Sequence, residues 1–507
     1  MQIFQDKYVP KNCELAGLCF IYKKLKLQAP LYSFKAVANK EMQKPQLDGD
    51  WEIFGHKYWP GDDVYSHLVF SLKYEFLNLL SLKRIFEKID PQILEGSINS
   101  SPTSIYARKI WFFYEYLTDK KLNIKELKTV TSVKVLDEEK YFTAEGIHSP
   151  RHKVINNLLG VPGFSPIIRK TEKLLKIFDD DLRGKIELIV NSVDRRLIAR
   201  ASSFLLVADT KATYEIEGER APQNRLGRWA KVVLEAGKNE LSIAEIERLH
   251  RILLKDDRFA KFGLRDKEVF LGDRDLNNHP LPEFVGARQK DLPQIMGEWL
   301  EMDEALRKSP LHPLLQATIL AFSFVYIHPL QDGNGRLHRY LFHHILADRN
   351  FTPKGMTFPV SSVIFDRIEK YRESLVSVSA PLLDFIEWRT DAQLNVEILN
   401  ETIDLYKFLD LTENAEFFYE VVKETIEVNF PLELDQLKKY DKAKEELLGF
   451  IEMPEGTLSL LINLIKDNDF KLSKAKKEKF FSGLKAKEVL RIEAIIKEAF
   501  QSGSILD

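Results

Sequence analysis

The chain has 507 residues, 74 of them basic and 76 acidic, and 44% are hydrophobic. At ~150 residues per domain, this length suggests about three domains with ample material for cores. The near-cancelling charge excludes a global field that would draw the chain to nucleic acid or a membrane surface, and two cysteines, Cys13 and Cys19, are too few for a disulfide framework.

The opening MQIFQDKYVP has no basic stretch ahead of an apolar one, and no apolar run approaches the ~20 residues that span a bilayer. We therefore expect neither a signal peptide nor a membrane anchor, and a cytoplasmic location. From Asp48 to Asp63 Gly, Pro and aromatics alternate without a helical or strand period, and the pattern then turns helical. Ser104 is placed to cap a helix carrying Ile105, Trp111, Tyr114 and Leu117 on one face. Residues 1–160 read as an N-terminal domain without an assignable role.

The Gly160–Pro166 break, with two Gly and two Pro, reads as a hinge, so 161–180 is taken as a linker. From Asp181 the apolar spacing is helical up to a natural stop at Gly218, and helices dominate to Arg389. One interruption, Val269 to Leu271, then Asn277, Asn278 and Pro280, then Phe284 and Val285, predicts a β-hairpin. Residues 396–507 are helical by period. The Lys-rich stretch from Lys471 to Lys479 has glutamates nearby and reads as a solvated helix face, so nucleic acid is not an expected partner.

The chemistry concentrates between Leu314 and Leu346. Leu314 to Ile327 is apolar nearly all round, as in a helix buried on every side, and Pro329 disfavours helical geometry at His328. Asp332, Gly333, Asn334 and Gly335 then supply flexible backbone before a helix beginning near Arg336. A loop feeding a helix N-terminus is an anion cradle. Arg336 and Arg339 project from one side of a first turn whose dipole disfavours cations, so something negative should meet them. A polyphosphate would do so, through guanidinium forks and backbone N–H groups; a carboxylate from elsewhere in the chain could substitute.

The spacing of His328, Asp332, Gly333, Asn334, Gly335, Arg336 and Arg339 resembles the Fic motif H-x-F-x-D/E-G-N-G-R-x-x-R, with Leu330 at the usual aromatic position. The resemblance implies a mainly α fold: a Fic helical core with a small β-hairpin flap over 181–395, flanked by mostly helical regions. It implies a protein adenylyltransferase that moves AMP from ATP to a Ser, Thr or Tyr hydroxyl. His328 would be the general base, Asp332 a ligand to Mg²⁺, and Asn334 with the loop amides a support for the α-phosphate. A neutral imidazole, of ordinary pKa ~6.5, suits a base at pH 7, and Mg²⁺ prefers carboxylate and phosphate oxygens. Leu330 would anchor the loop to the core.

Upstream, Thr213, Glu217 and Gly218 resemble the family's inhibitory signature S/T-x-x-x-E-G/N, which implies that Glu217 pairs with Arg339 and holds ATP in a nonproductive pose. Such a glutamate also implies AMP removal as a reverse activity. The hairpin from Glu268 to Gly286 falls at the family's flap, where a protein substrate, which could be the chain itself, would add a strand. Tyr371 falls where relatives place an aromatic near adenine, although core packing accounts for it as well. The tail around Gly456 to Phe500 is similar to the helical end of longer Fic proteins.

Three other readings stay open: transfer of another group such as UMP or phosphocholine, a kinase-like mode, and a restrained Fic core that acts as a ligand sensor with flanking helices binding a partner or DNA. His338, His343 and His344 invite a zinc reading, but no H-E-x-x-H is present and no cysteine lies nearby.

Overall fold

The computed structural model describes residues 2–501 apart from 129, 255–257 and 259. The fold is mainly α, and contacts divide it into two units. One unit gathers Met1–Lys176, Gly237–Arg349 and Ile368–Phe418; the other gathers Ile177–Ala236, Asn350–Arg367 and Tyr419–Asp507.

The first unit begins with β-structure where the sequence shows no period. Four strands run in the order Cys13–Leu15, Phe34–Ala38, Trp51–Phe54, Gln46–Asp48. Phe34–Ala38 and Trp51–Phe54 are parallel, with Phe34 opposite Trp51, and the outer pairs are antiparallel. Ala16, Val37, Phe54 and Phe70 form the core beneath. A helix follows at Ile105–Thr118 with Ser104 at its N-cap position, as expected, although the cap makes no side-chain hydrogen bond. The segment from Gly160 is built into the unit: Phe164 is buried, Ser165 N–H donates to Lys407 O at 3.1 Å, and Ile167 N–H donates to Leu409 O at 2.8 Å.

The middle of this unit is the helix Pro313–Ile327, in which every residue from Leu314 to Ile327 is buried, as its all-round apolarity predicts. It packs against Leu292–Arg307, where Trp299 Nε1 donates to Leu320 O at 3.1 Å, and against Asn334–Asp348. Phe342 of the latter stacks on Phe418 with ring centroids 4.0 Å apart. The hairpin forms as expected, Phe270–Arg274 pairing antiparallel with Pro280–Val285, with a bulge at Leu271/Gly272 where Gly272 takes φ 140°.

In the second unit the helical stretch from Asp181 divides into Leu182–Ser192 and Arg195–Glu215. The break has a local cause: Asp194 Oδ1 accepts from Arg196 N–H at 2.8 Å and starts a new helix. Arg195–Glu215 packs on Val360–Asp366 and Phe430–Leu448, fastened by Arg200 on both carboxylate oxygens of Asp441 at 2.9 and 2.7 Å. Glu455–Lys466, Lys474–Phe480 and Ala486–Gln501 close around Leu461, Ile465, Phe481 and Ile492. Among the described residues no helix is long and apolar enough to cross a membrane.

Candidate active site

His328 leaves the central helix in the left-handed conformation, φ 54° and ψ 57°. Its N–H still closes the last turn on Phe324 O at 3.0 Å. The ring lies back along the helix, with Nδ1 3.1 Å from Val325 O. A carbonyl oxygen only accepts, so Nδ1 carries a proton, and in the neutral ring Nε2 is the nitrogen with the lone pair. His328 is 8% exposed, and the ring of Phe284, on the hairpin, lies 5.5 Å from its own.

The loop after it is stapled by one side chain. Asn334 Oδ1 accepts from Leu330 N–H at 2.9 Å, and Asn334 Nδ2 donates to Leu330 O at 2.8 Å. Leu330 is fully buried and fastens the loop to the core. The Asn334 side-chain amide is thus engaged by Leu330, and its backbone N–H is the group that could face an anion. Gly333 takes φ 85° as the residue before helix Asn334–Asp348, a conformation that glycine adopts without strain. The first N–H groups of that helix, on Asn334, Gly335 and Arg336, lack acceptors within it and form an anion cradle.

Asp332 turns one oxygen inward. Its Oδ1 accepts from Gly333 N–H at 2.6 Å and from Arg336 Nη2 at 2.9 Å, while the side chain remains 52% exposed. Its Oδ2 carries no hydrogen bond among the described residues. An exposed carboxylate oxygen beside an anion cradle fits Mg²⁺ held jointly with substrate phosphates. Among the described residues there is no group of three or more His, Cys, Asp or Glu that could hold a metal, so most of such an ion's shell would come from phosphate and water. Arg336 and Arg339 are both buried, beside the loop and on its helix.

Two residues that sequence reasoning passed over support this loop. Arg265, buried, donates from Nε to His328 O at 2.8 Å, and its own N–H donates to Pro329 O at 2.9 Å. His250, on helix Ile243–Leu254, accepts from Gly263 N–H at 3.2 Å, and burial lowers its pKa against the opposing pull of Asp332. A Cβ on Gly333 would come within 2.5 Å of Leu253 Cδ2 on the same helix. Arg265 belongs to no periodic or motif pattern, because it acts through main-chain atoms, whereas His250 shares the buried face of its helix with Ile246, Leu249 and Leu253.

Tyr371 is 4% exposed, lies 6.0 Å from the ring of His338 at an interplanar angle of 21°, and 5.8 Å from Phe417, so it serves as core packing with little surface for a base. His338 directs Nδ1 at Ala321 O, 2.7 Å away, and burial pushes its pKa down to about 3. His344 receives Gly237 N–H at 3.3 Å, and His343 is also buried. Thr213 is buried at the end of helix Arg195–Glu215; Glu217 and Gly218 follow in a turn, Glu217 N–H on Tyr214 O at 3.1 Å and Gly218 at φ 71°.

Comparison with known proteins finds the Fic/DOC family matched over residues 240–346. "Protein adenylyltransferase Fic" of Nematostella vectensis is 28% identical over 166 residues, 32% of this chain and 35% of the relative. "Protein adenylyltransferase fic-1" of Caenorhabditis elegans is 29% identical over 152 residues, 30% of this chain and 27% of the relative. The alignments thus span about a third of those relatives. Among solved structures, a Fic family protein from Desulfovibrio desulfuricans G20 is 19% identical with a TM-score of 0.36, covering 64% of this chain and 87% of that one. A Fic-domain-containing signaling protein from Bacteroides thetaiotaomicron VPI-5482 is 16% identical with a TM-score of 0.37, covering 52% and 96%.

Proposed function

From a chain whose residues 240–346 belong to the Fic/DOC family, we propose a protein adenylyltransferase that moves AMP from ATP to a hydroxyl side chain of a protein. One observation carries this reading: the Nδ1 contact with Val325 O assigns His328 the tautomer whose Nε2 can accept a proton, at the mouth of an anion cradle. ATP would lie with its phosphates on the N–H groups of Asn334, Gly335 and Arg336. The buried guanidinium groups of Arg336 and Arg339 offset its charge.

A Ser, Thr or Tyr oxygen attacks the α-phosphorus while His328 Nε2 takes its proton; the bond to the β-phosphate oxygen breaks and pyrophosphate leaves. When bound, Mg²⁺ offsets charge on the phosphate oxygens, and Asp332 Oδ2 would be its protein ligand. The chain's contribution is positioning and charge stabilisation, which dominate phosphoryl-group chemistry. The protein target, or a second copy of the chain, would present its hydroxyl along the hairpin Phe270–Val285 by strand addition.

The resting enzyme is restrained in this proposal. Glu217, following Thr213 at the family's inhibitory spacing, would pair with Arg339 and take the place of a γ-phosphate contact. The same carboxylate could serve AMP removal. The test is incubation of the parent chain, Glu217→Gly and His328→Ala with Mg²⁺ and ATP labelled at the α- or γ-phosphate. Adenylyl transfer gives protein label from the α-position alone, more of it in Glu217→Gly, and none in His328→Ala. Label from the γ-position would mean phosphorylation instead. Unchanged or reduced transfer by Glu217→Gly would remove the inhibitory role.

A further inference from the structure

We propose that Arg265 is a positioning residue that sets the orientation of His328 and ties it to both feet of the hairpin; its role in catalysis rests on the adenylyltransferase reading. Arg265 lies between helix Ile243–Leu254 and the hairpin and is buried. Its guanidinium addresses three carbonyl oxygens: Nε donates to His328 at 2.8 Å, Nη1 to Lys267 at 2.7 Å, and Nη2 to Ala287. Its main-chain N–H adds Pro329 O at 2.9 Å. Two successive loop carbonyls, at His328 and Pro329, are thus held by one residue.

The reason such a support is needed is conformational. His328 is a non-glycine residue in the left-handed region, where its Cβ crowds its own carbonyl. That conformation takes the His328 carbonyl out of the helix and leaves it buried, where an unmade hydrogen bond is expensive. Arg265 Nε meets it. A lysine could not take over the arrangement, since an ammonium is a point donor without the rigid fork that reaches several acceptors at once.

The other two carbonyls identify what is being coupled. The strands of the hairpin begin at Phe270 and end at Val285. Lys267 precedes the first strand and Ala287 follows the second, so both feet rest on the same guanidinium that holds His328. The contact is tight throughout: Gly286 N–H donates to Val269 O at 3.0 Å, and Ala287 N–H donates to Ile327 O at 3.1 Å. Glu268 Oε2, 3.5 Å from Arg265 Nη1, supplies the opposing charge and also accepts from Gln289 N–H at 3.1 Å. A hydroxyl presented along the hairpin and the imidazole that receives its proton therefore share one rigid reference.

The test uses the full chain carrying Arg265→Met and, separately, Arg265→Lys, with imidazole-¹⁵N spectra and enzyme kinetics read on the same samples. The His328 resonance is assigned by its loss in His328→Ala. Arg265→Met is expected to move His328 from the Nδ1-protonated tautomer toward a mixture while the other histidines keep their shifts. AMP transfer should fall at least tenfold in kcat, with KM for ATP within threefold and ATP-binding stoichiometry unchanged. Arg265→Lys should recover only a minor part of either loss, and it decides the matter on the same criteria if the methionine variant does not fold. An unmoved His328 resonance overturns the proposal, as does a fall in kcat matched by an equal fall in binding stoichiometry, which would mean a structural role alone. A Glu217→Gly chain that transfers no AMP refutes the adenylyltransferase reading, and the spectra still decide whether Arg265 orients His328.

Discussion

His328 Nδ1 and Val325 O, 3.1 Å apart, form a hydrogen bond in which only the ring can donate. The helix that carries both residues thereby selects the tautomer, because the carbonyl three residues back is turned toward the ring where the last turn unwinds ahead of Pro329. An imidazole fixed in this way is a base by geometry before any substrate arrives.

Replacing that base while leaving the cradle intact separates chemistry from binding. His328→Ala is expected to lower adenylyl transfer by about 10²- to 10⁴-fold, the usual span for a general base. Its affinity for Mg²⁺-ATP, measured by equilibrium dialysis, should stay close to that of the parent. A comparable loss of affinity would place His328 among the binding groups.

Asn334 has a role the motif alone did not disclose. Its side chain closes a ring of two hydrogen bonds with the main chain of Leu330, at 2.9 and 2.8 Å. Asn334→Ala leaves a buried N–H and a buried carbonyl without those partners, each costing about 1–3 kcal/mol. Asn334→Asp keeps an acceptor for Leu330 N–H but sets an anionic oxygen against Leu330 O, so it should be no more stable than the alanine variant. Denaturant midpoints for the three chains check the order.

The N-terminal sheet region carries a titrating carboxyl. Glu75 accepts Leu18 N–H at 2.9 Å on Oε1 and Ser33 Oγ–H at 3.3 Å on Oε2, and burial pushes its pKa up to about 7. The folded state therefore holds a proton that the unfolded chain, with an ordinary glutamate pKa near ~4.3, releases earlier. Its contribution to stability is complete below the unfolded value and is lost as pH rises through about 7. Glu75→Gln, of the same shape and without charge, should remove that slope between pH ~4 and ~7. Urea midpoints for the two chains that stay parallel across this range would count against it.

How much of the molecule is legible in its sequence follows from what each residue acts through. The loop from His328 to Arg339 reads clearly because its chemistry sits in distinctive side chains at fixed spacing. The buried helix Pro313–Ile327 reads clearly because apolarity on every side has few other solutions. The strands at Phe34–Ala38 and Trp51–Phe54 do not, since they are only five and four residues long, pair in parallel, and the second lies between Gly49 and Gly55. Arg265 stays hidden because every hydrogen bond it makes is to a main-chain carbonyl, which any sequence would supply. The two units gather segments far apart in the chain, a grouping that a reading from one end to the other has no signal for.

A steric probe tests the closeness of hairpin and catalytic loop without replacing a functional side chain. A Cβ on Gly286 would lie 2.8 Å from Val269 Cγ1, 3.0 Å from Arg265 Nη2 and 3.1 Å from His328 Cβ. All three sit where the hairpin meets the loop, so Gly286→Ala should displace His328 or Arg265 and lower AMP transfer at least severalfold, with a reduced melting temperature. Gly297, inside helix Leu292–Arg307, supplies the control, because nothing lies within 4 Å of its added Cβ. Gly297→Ala should raise stability by roughly 0.5–1 kcal/mol through the restricted unfolded chain and leave transfer unchanged. Equal activity in the two variants would show that the hairpin foot and the catalytic histidine move independently.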